Sequence, residues 1–282
     1  MHIKKPVTIF WFRRDLRLND NAGLYYALKE NKNVLPVFIF DTTILDKLEN
    51  KKDRRVDFIY QALEKLKEEL ELLKTSLLIL YDTPLKAFER LLKDTPITAV
   101  YTNEDYEPSA IKRDNAVQQL LNKDQIEFKT YKDQIIFEKN EVTKDDGLPY
   151  SIFTPYMNKW KSKLTDFYLK SYPTKKYFSH FFPVSSFPFP TLEEIGFEST
   201  GYEFHSPRAD KKKIAVYDKQ RDFPGIAGTT HLGVHLRFGT VSIRHLAAVA
   251  LETNQTWLSE LIWREFFMQI LFHFPHVEKN SF

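Results

Sequence analysis

Cysteine does not occur anywhere in the 282 residues of this chain. The protein therefore forms no disulfide, binds no zinc through thiolates and carries no cysteine nucleophile. No apolar run reaches the length of about 18 residues that a membrane-spanning helix needs. The residues after Met1 also lack the small-residue cleavage pattern of a signal peptide. We therefore expect a soluble, cytoplasmic protein.

Three sequence signatures of common enzyme classes are missing as well. The first strand-like run is followed by Arg13–Leu18 where a dinucleotide-binding fold would carry G-x-G-x-x-G, and no P-loop pattern G-x-x-x-x-G-K-[ST] occurs. The G-x-S-x-G motif of α/β hydrolases is also absent. Dehydrogenases of the dinucleotide-binding type, P-loop enzymes and serine hydrolases thus lose their main support.

Two histidine pairs have spacings that occur in metal sites. His231 and His235 are four residues apart, and His273 and His276 are three apart. No carboxylate or third histidine stands at a supporting spacing, and H-E-x-x-H does not occur. We expect no metal site.

Aromatic residues are plentiful, with 24 Phe and 14 Tyr. They provide ample material for hydrophobic cores, and a chain of this length is expected to form two domains. Lys and Arg outnumber Asp and Glu by only 41 to 38. This balance permits nucleic-acid binding without requiring it.

Residues 1–133 alternate between strand-like and helix-like patterns. Short β-branched and aromatic runs predict strands, and amphipathic stretches with capping residues predict the helices between them. Alternation of this kind indicates a five-stranded parallel α/β sheet of Rossmann-like type with right-handed crossovers. The predicted strands are 7–12, 34–40, 77–81, 97–101 and 126–131, and the predicted helices are 21–30, 54–73, one from 84, and 108–121.

Residues 134–200 show no such alternation. Proline and aromatic residues crowd together in 147–156 and again in 181–190. Proline breaks regular elements while the aromatics need burial, so we predict a long connector that lies on the surface of both domains. A disordered linker is the alternative, and the aromatic content argues against it.

Helical periodicity returns in residues 201–282, which predict the beginning of an all-α domain. We expect helices over 211–221, 241–252 and 257–273, with a loop containing short helical pieces over 226–239. Within that loop, Gly228–Gly233 carries two hydroxyls and a basic-capable ring that could present donors to a phosphate. A polar loop without a ligand is the alternative. The cluster Arg13–Arg17 is either a solvated turn or a bridge between the two domains.

The helix near the C-terminal end has charges on an almost wholly apolar surface. At about 100° per residue, Trp257, Glu260, Trp263 and Arg264 fall within an arc of roughly 120°. The other side is apolar too, which is typical of a buried helix. Buried charges are costly unless they are paired or used, so this helix is expected to line a cavity. A simple Glu260/Arg264 pair at i,i+4 is the alternative.

Six segments, in order along the chain, resemble motifs of the photolyase/cryptochrome family. The resemblance extends over the whole chain, and the helical motif is the most specific of the six. The segments are Trp11–Asn21, the interdomain motif Phe153–Tyr156, the flavin-domain entry Tyr217–Pro224, the flavin phosphate loop Gly228–Leu232, the turn Leu236–Ser242 and the helical motif Trp257–Phe266.

The resemblance implies a class I cyclobutane pyrimidine dimer photolyase, which uses reduced FAD and light to repair dimers in DNA. It places Glu260 and Trp263 against a flipped-out dimer and Arg221 on the DNA backbone. It also implies a monomer that acts on DNA containing pyrimidine dimers. The flavin contacts that it implies are Tyr217, Thr229, Thr230, Leu232, Trp257 and Arg264.

The sequence departs from the family pattern in three places. His231 stands where many relatives carry Arg, which predicts a weaker or pH-dependent phosphate contact. Ser109-Ala110 follows Tyr106-Glu107-Pro108 where folate-binding members carry Asn-Glu, so the antenna chromophore is unknown and methenyltetrahydrofolate is disfavoured. Family members continue past the helices with which this sequence ends. We therefore expect a fragment, the front part of a photolyase, that binds FAD weakly alone.

Two other functions stay open at this point. A cryptochrome-type blue-light photoreceptor without repair activity would share the same motifs. An α/β nucleotide-binding module with an unrelated helical tail would predict no preference for damaged DNA.

Overall fold

The computed structural model describes residues 3–280, which begin with a five-stranded parallel sheet. The strand order is β3-β2-β1-β4-β5, and all four strand pairs are parallel. The Rossmann-like sheet predicted from the sequence is thereby confirmed, with strand ends that differ by a few residues at most. The strands are β1 (Val7–Phe12), β2 (Val34–Asp41), β3 (Leu78–Asp82), β4 (Ile97–Asn103) and β5 (Glu127–Tyr131).

The sheet is buried on both faces. All six residues of β1 are buried, because helices cover a parallel sheet from both sides and make its central strands apolar throughout. Phe10 and Phe12 point into the core on one face, and Ile9 and Trp11 point into the core on the other. Two hydrophobic cores therefore lie above and below the same strands.

Five helices connect or cover the strands, and local capping explains where several of them begin. The Asn21 side chain accepts the Leu24 N–H at the start of the first helix, and Thr83 caps a helix that has Pro84 in its first turn. One short helix, Thr42–Leu45, was not predicted. The helices are α1 (Ala22–Glu30), α2 (Thr42–Leu45), α3 (Arg54–Leu72), α4 (Pro84–Asp94) and α5 (Pro108–Asn122).

The connector contains more regular structure than its composition indicates. It includes α6 (Phe153–Lys163), the four-residue α7 (Asp166–Leu169) and a 3-10 helix over 174–180. The apolar residues of α6 are few, but Tyr156 and Trp160 are almost completely buried in the same core as the C-terminal helices. Tertiary packing therefore stabilises a helix whose own apolar pattern is too sparse to predict.

The C-terminal part is helical, as predicted, and is built around a third core. The single helix predicted over 211–221 is wrong, because it breaks at Val216. Hydrogen bonds on both sides of Val216 span three residues instead of four, which interrupts an α-helix. The helices are α8 (Lys211–Ala215), α9 (Tyr217–Gln220), α10 (Gly233–Phe238), α11 (Ile243–Thr253) and α12 (Gln255–His273), followed by a 3-10 helix over 275–278.

The helical part docks on the carboxyl-terminal edge of the sheet through buried ion pairs. Arg244 of α11 donates to Asp20 through Nε (2.9 Å) and to Asp133 through Nη2 (2.8 Å). Arg17 also donates to Asp133, at 2.8 Å. Burial pushes the pKa of Asp133 upward, but Arg17 and Arg244 together hold it below its usual value. The Arg13–Arg17 segment is therefore a bridge between the two parts.

The same edge is where open α/β sheets usually bind nucleotides, beside the switch in strand order. Here the switch lies between β1 and β4, and protein groups fill it. Asn103 donates to Asp15 at 2.6 Å, and Arg13 donates to Asp114 at 2.5 Å. Bonds between protein side chains therefore occupy this crevice. This argues against the alternative of an α/β nucleotide-binding module with an unrelated helical tail. Within residues 3–280, no helix is both long and apolar enough to cross a membrane.

Candidate cofactor and substrate site

Helix α12 runs through the core of the helical part, and its beginning is fixed by a cap. The Asn254 side chain accepts the N–H groups of Thr256 and Trp257 at 2.9 and 3.1 Å. This cap satisfies two of the free donors at the helix start. Trp257 is buried at 4% exposure, whereas Glu260, Trp263 and Arg264 are only partly buried. The helix thus buries its first tryptophan, whereas Glu260 and Trp263 reach solvent in part.

Glu260 of α12 forms an ion pair with Arg221, the residue that follows α9. The guanidinium Nη1 of Arg221 donates to Oε1 of Glu260, and the two side chains are 36% and 38% exposed. The Arg221 guanidinium also lies 5.8 Å from the Tyr217 ring. Burial raises the pKa of the Tyr217 hydroxyl, and the negative charge of Glu260 raises it further. Three of the predicted site residues therefore meet at one place.

Arg264 does not pair with Glu260, so the simple i,i+4 ion pair is not formed. Its guanidinium donates to the backbone carbonyls of Gln134 (2.6 Å) and Leu236 (3.1 Å). Within residues 3–280 no carboxylate lies within ion-pair distance of it. Burial lowers the pKa of Arg264 to about 10, and repulsion from Arg14 adds to the effect. The guanidinium of Arg264 is thus buried without a negative charge to balance it.

Trp263 stacks on aromatic rings from two helices. Its ring lies 3.5 Å from the Phe153 ring of α6 at an angle of 7°, and 5.4 Å from the Phe267 ring at 23°. Phe267 is 60% exposed. Parallel rings of this kind form a platform on which further flat groups can stack.

The predicted phosphate loop lies beside α9. A Cβ on Gly228 would come within 2.6 Å of the Gln220 Cβ, so the loop approaches α9 more closely than any other residue type allows. Leu232 is buried in the same core as Trp257. The hydroxyls of Thr229 and Thr230 make no hydrogen bond to any residue of the described range 3–280 and remain available to a ligand. In the described residues, neither hydroxyl therefore bonds to the group formed by Tyr217, Arg221 and Glu260.

His231 sits in this loop in a left-handed backbone conformation with φ of 55°. Its imidazole stacks on that of His205, with ring centres 4.3 Å apart and an angle of 19°. The imidazole of His231 is therefore held against a second imidazole.

Glu265 is a charged residue of α12 that the sequence motifs do not single out. It is 2% exposed and accepts four hydrogen bonds from the connector. At about 100° per residue it falls between Leu261 and Leu258, in the middle of the apolar side. A carboxylate at such a position indicates that hydrogen-bond donors from elsewhere in the chain surround it. One sequence does not show which residues those donors are. Phe153, the stacking partner of Trp263, is missed for the same reason.

A cavity of about 820 Å³ opens elsewhere, between α3 and the helices α10 and α11. Phe58 and Lys65 line it from one side, and His235 and His245 line it from the other. None of the site residues predicted from the sequence lines it. This cavity and the predicted site are therefore separate features of the described structure.

Comparison with known proteins decides the family. A family model described as DNA photolyase matches residues 8–176. The chain belongs to the DNA photolyase family. It is 30% identical over 302 aligned residues to a deoxyribodipyrimidine photo-lyase of Synechococcus sp., an alignment that covers 97% of this chain and 62% of the relative.

Solved structures agree on the fold of this photolyase-family chain. A class III photolyase from Agrobacterium tumefaciens superimposes with a TM-score of 0.80 and 22% identity, over 99% of this chain and 62% of that one. An archaeal photolyase from Sulfolobus tokodaii, described with two FAD molecules, superimposes with a TM-score of 0.72 and 28% identity over 98% and 61%. The chain spans less than two thirds of the length of these relatives.

Proposed function

We propose that this photolyase-family protein takes part in light-driven repair of cyclobutane pyrimidine dimers in DNA, with reduced FAD as the electron donor. The observation that carries the proposal is the joint placement of Arg221, Glu260 and Trp263 on the partly exposed side of α12. A cation for a backbone phosphate, a carboxyl group for base edges and an aromatic platform for bases are what a flipped dinucleotide needs.

The residues present fit a flavin dinucleotide. Arg264 is a buried guanidinium without a carboxylate partner in the described range, and the buried Oε1 of Gln134 beside it has no hydrogen-bond partner there either. The free hydroxyls of Thr229 and Thr230 suit a diphosphate. Leu232 and Trp257 would supply an apolar wall, and Tyr217 would lie at its edge. Family membership and the FAD-containing archaeal neighbour support a flavin as the cofactor.

When bound, reduced and excited by light, FAD would supply the electron that splits the dimer and would recover it afterwards, so that repair involves no net oxidation or reduction. The protein supplies position and charge. A dimer must leave the duplex to reach the site, which costs a few kcal/mol, and least where base pairing is already damaged. Stacking on the Trp263 platform recovers about 1–3 kcal/mol per base. The Glu260 carboxyl group, set against the base edges, would stabilise the negative charge that arrives on the dimer.

Arg221 would bind a phosphate beside the flipped dimer. Its guanidinium is partly exposed and lies on the same side of α12 as Glu260. Binding a phosphate there would draw Arg221 away from Glu260 and leave that carboxyl group free for the substrate. The ion pair thus links the DNA backbone contact to the substrate contact.

The antenna chromophore stays unassigned in this proposal. Pro108 and Ser109 follow Glu107, and Glu107 itself is engaged by Arg14 (2.9 Å) and Arg237 (2.7 Å). Ser109 and Ala110 stand at the position at which the family resemblance would put the folate contact, so we do not propose methenyltetrahydrofolate. We do propose that the protein works as a cytoplasmic monomer, which sedimentation and cell fractionation would check.

The decisive experiment is a repair assay with protein expressed from its complete gene, supplied with FAD and a reductant. A thymine-dimer oligonucleotide is illuminated with blue light, and restored thymine is measured by chromatography. We expect repair in the light but not in the dark, and a rate lower by at least tenfold for Glu260→Ala. FAD binding and a light response without repair would instead favour a cryptochrome-type photoreceptor. An unchanged rate for Glu260→Ala would remove that carboxyl group from the mechanism.

A further inference from the structure

The carboxylate of Glu265 is enclosed by donors from two different parts of the connector. Its Oε2 accepts the N–H of Ile136 at 2.7 Å, and its Oε1 accepts the N–H of Phe137 at 3.0 Å. Oε1 also accepts the indole N–H of Trp160 at 2.7 Å and the hydroxyl of Tyr156 at 3.3 Å. One side chain therefore joins three segments: α12, residues 136–137 and α6.

Neighbouring residues of α12 bind the same stretch of connector backbone. Arg264 donates to the carbonyl of Gln134, and Gln269 donates through Nε2 to the carbonyl of Phe137 at 3.0 Å. Successive groups of residues 134–137 are thus paired with side chains at 264, 265 and 269. Of these three side chains, Glu265 is the one that also bonds to α6, so its bonds define how α12 is rotated and shifted relative to α6.

The same two helices carry the stacked aromatic pair of the candidate site. Phe153 is the first residue of α6, and Trp263 lies two residues before Glu265 on α12. Their rings are 3.5 Å apart and nearly parallel. A rotation of α12 by one residue is about 100°, so any loss of register between α6 and α12 would separate these rings.

We propose that Glu265 is a positioning residue for the substrate site: by bonding α6 and residues 136–137 to α12, it holds Trp263 against Phe153 and keeps Glu260 on the exposed side. The proposal rests on the proposed function for its catalytic consequence. Its structural part, the coupling of Glu265 to Trp263, does not depend on that function.

The four tryptophans of the chain make this coupling measurable. Each indole N–H of Trp11, Trp160, Trp257 and Trp263 gives one signal in a nitrogen–proton correlation spectrum of the full chain. Trp160 donates to Glu265 directly, whereas Trp263 has no hydrogen bond to it in the described range. A change at Glu265 that moves both signals would show that its effect reaches the aromatic platform.

Titration of the wild-type protein provides a test without any variant. Burial raises the pKa of Glu265 to about 7. The ionisable groups that face it are Arg264 on its own helix, Tyr156 on α6 and Tyr106 in the loop after β4, and none of these has a pKa near neutrality. We expect the Trp160 and Trp263 signals to move with one shared midpoint near pH 7, and this titration to vanish in Glu265→Gln.

Gln269→Met is the matched control, because it removes another buried bond between α12 and the connector while Glu265 stays in place. Glu265→Gln should shift the Trp263 signal, slow repair at least tenfold and weaken binding to DNA that contains a dimer, while binding to undamaged duplex changes less than twofold. Gln269→Met should lower the free energy of unfolding. It should leave the Trp263 signal in its wild-type position and the repair rate within twofold of the wild-type rate. If Glu265→Gln does not fold, Trp160→Phe takes its place. This change removes one hydrogen-bond donor to Glu265 and should still shift the Trp263 signal.

The proposal is overturned if Trp160 titrates while Trp263 does not, or if Gln269→Met slows repair as much as Glu265→Gln. A wild-type protein that shows the shared titration but no repair would contradict the proposed function and leave the coupling of Glu265 to Trp263 established. The two failures are therefore distinguishable.

Discussion

Arg221 and Glu260 form an ion pair through the same two groups that would bind DNA. The guanidinium of Arg221 would bind a phosphate, and the carboxyl group of Glu260 would bind the base edges of the dimer. The guanidinium bonds to Oε1 of Glu260, and this bond is the main reason that the pKa of Arg221 lies above its usual value. A phosphate that binds Arg221 must therefore compete with Glu260. The pair is more than a third exposed, so the competition is over a weak interaction, on the order of 0.2–1 kcal/mol.

Replacing Glu260 with Gln should accordingly strengthen binding to undamaged DNA. We expect a gain of about twofold to fivefold at low salt, since a surface pair of this strength is lost. The slope of log K against log salt should steepen by less than about 0.9, the value for one added phosphate contact, because Arg221 of the wild type already binds a phosphate in competition with Glu260. The measurement is fluorescence anisotropy with duplex DNA between 50 and 200 mM salt, a range in which such contacts respond strongly.

Asp222→Asn is the control for this experiment. Asp222 lies 3.5 Å from Nε of Arg221 and carries the same charge, but its side chain is 77% exposed. Asp222→Asn should therefore change the affinity for undamaged duplex DNA by less than twofold. If both substitutions act equally, or if Glu260→Gln acts equally in an Arg221→Gln background, the gain would come from general charge and not from a released guanidinium.

Trp263→Ala should selectively weaken binding to DNA that contains a dimer. Loss of the stacking platform should cost about 1–3 kcal/mol, or roughly tenfold to a hundredfold in affinity, while binding to undamaged duplex changes little. Trp263→Phe keeps a ring against Phe153 and should retain most of the affinity. Phe267→Ala removes an exposed neighbour of the same indole and should act by less than twofold. Equal losses on damaged and undamaged DNA would contradict the role of Trp263.

The parallel sheet, its strands and most helix limits in residues 1–133 are readable from the sequence because each element buries a regular apolar pattern. The helix α6 and the carboxylate of Glu265 are not. Trp160 and Tyr156 depend on a partner more than a hundred residues away, and that partner carries no local signal. The four motif residues of α12 are predicted to share a side, but which of them pairs with what depends on α9 and residues 134–137.

The buried ion pairs between the two parts should be worth far more than the exposed ones. Arg244→Met leaves Asp20 and Asp133 buried without one of their cations, and we expect a loss of about 3–5 kcal/mol in the free energy of unfolding. Arg237→Met breaks a pair with Glu107 whose arginine is 51% exposed, and should cost less than about 1 kcal/mol. Urea denaturation of both variants checks this. Similar losses for the two would mean that the Arg244 cluster does not stabilise the docking of the two parts.

Gly239 should tolerate no side chain, because it lies against the Arg13–Arg17 segment. Its φ is +66°, and a Cβ there would lie 2.8 Å from the carbonyl carbon of Arg14 and closer still to its oxygen. Gly201 has a similar φ of +64° with nothing within 4 Å of such a Cβ. Gly201→Ala should therefore cost about 1–2 kcal/mol from backbone strain alone, and Gly239→Ala should cost clearly more. Equal costs would show that the contact with Arg14 is loose.

Glu265 should make the stability of the protein depend on pH near neutrality. Its pKa of about 7 in the folded protein lies above the usual glutamate value of 4.5, so the folded state holds the proton more tightly than the unfolded chain does. The stabilisation from this proton is complete below the unfolded pKa and is lost as pH rises through about 7. Glu265→Gln has no such proton. The stability of the wild type relative to this variant should therefore fall by about 3 kcal/mol between pH 4.5 and pH 8. Urea unfolding of both proteins across this range measures it, and a constant difference would show that Glu265 stays ionised, held by its four donors.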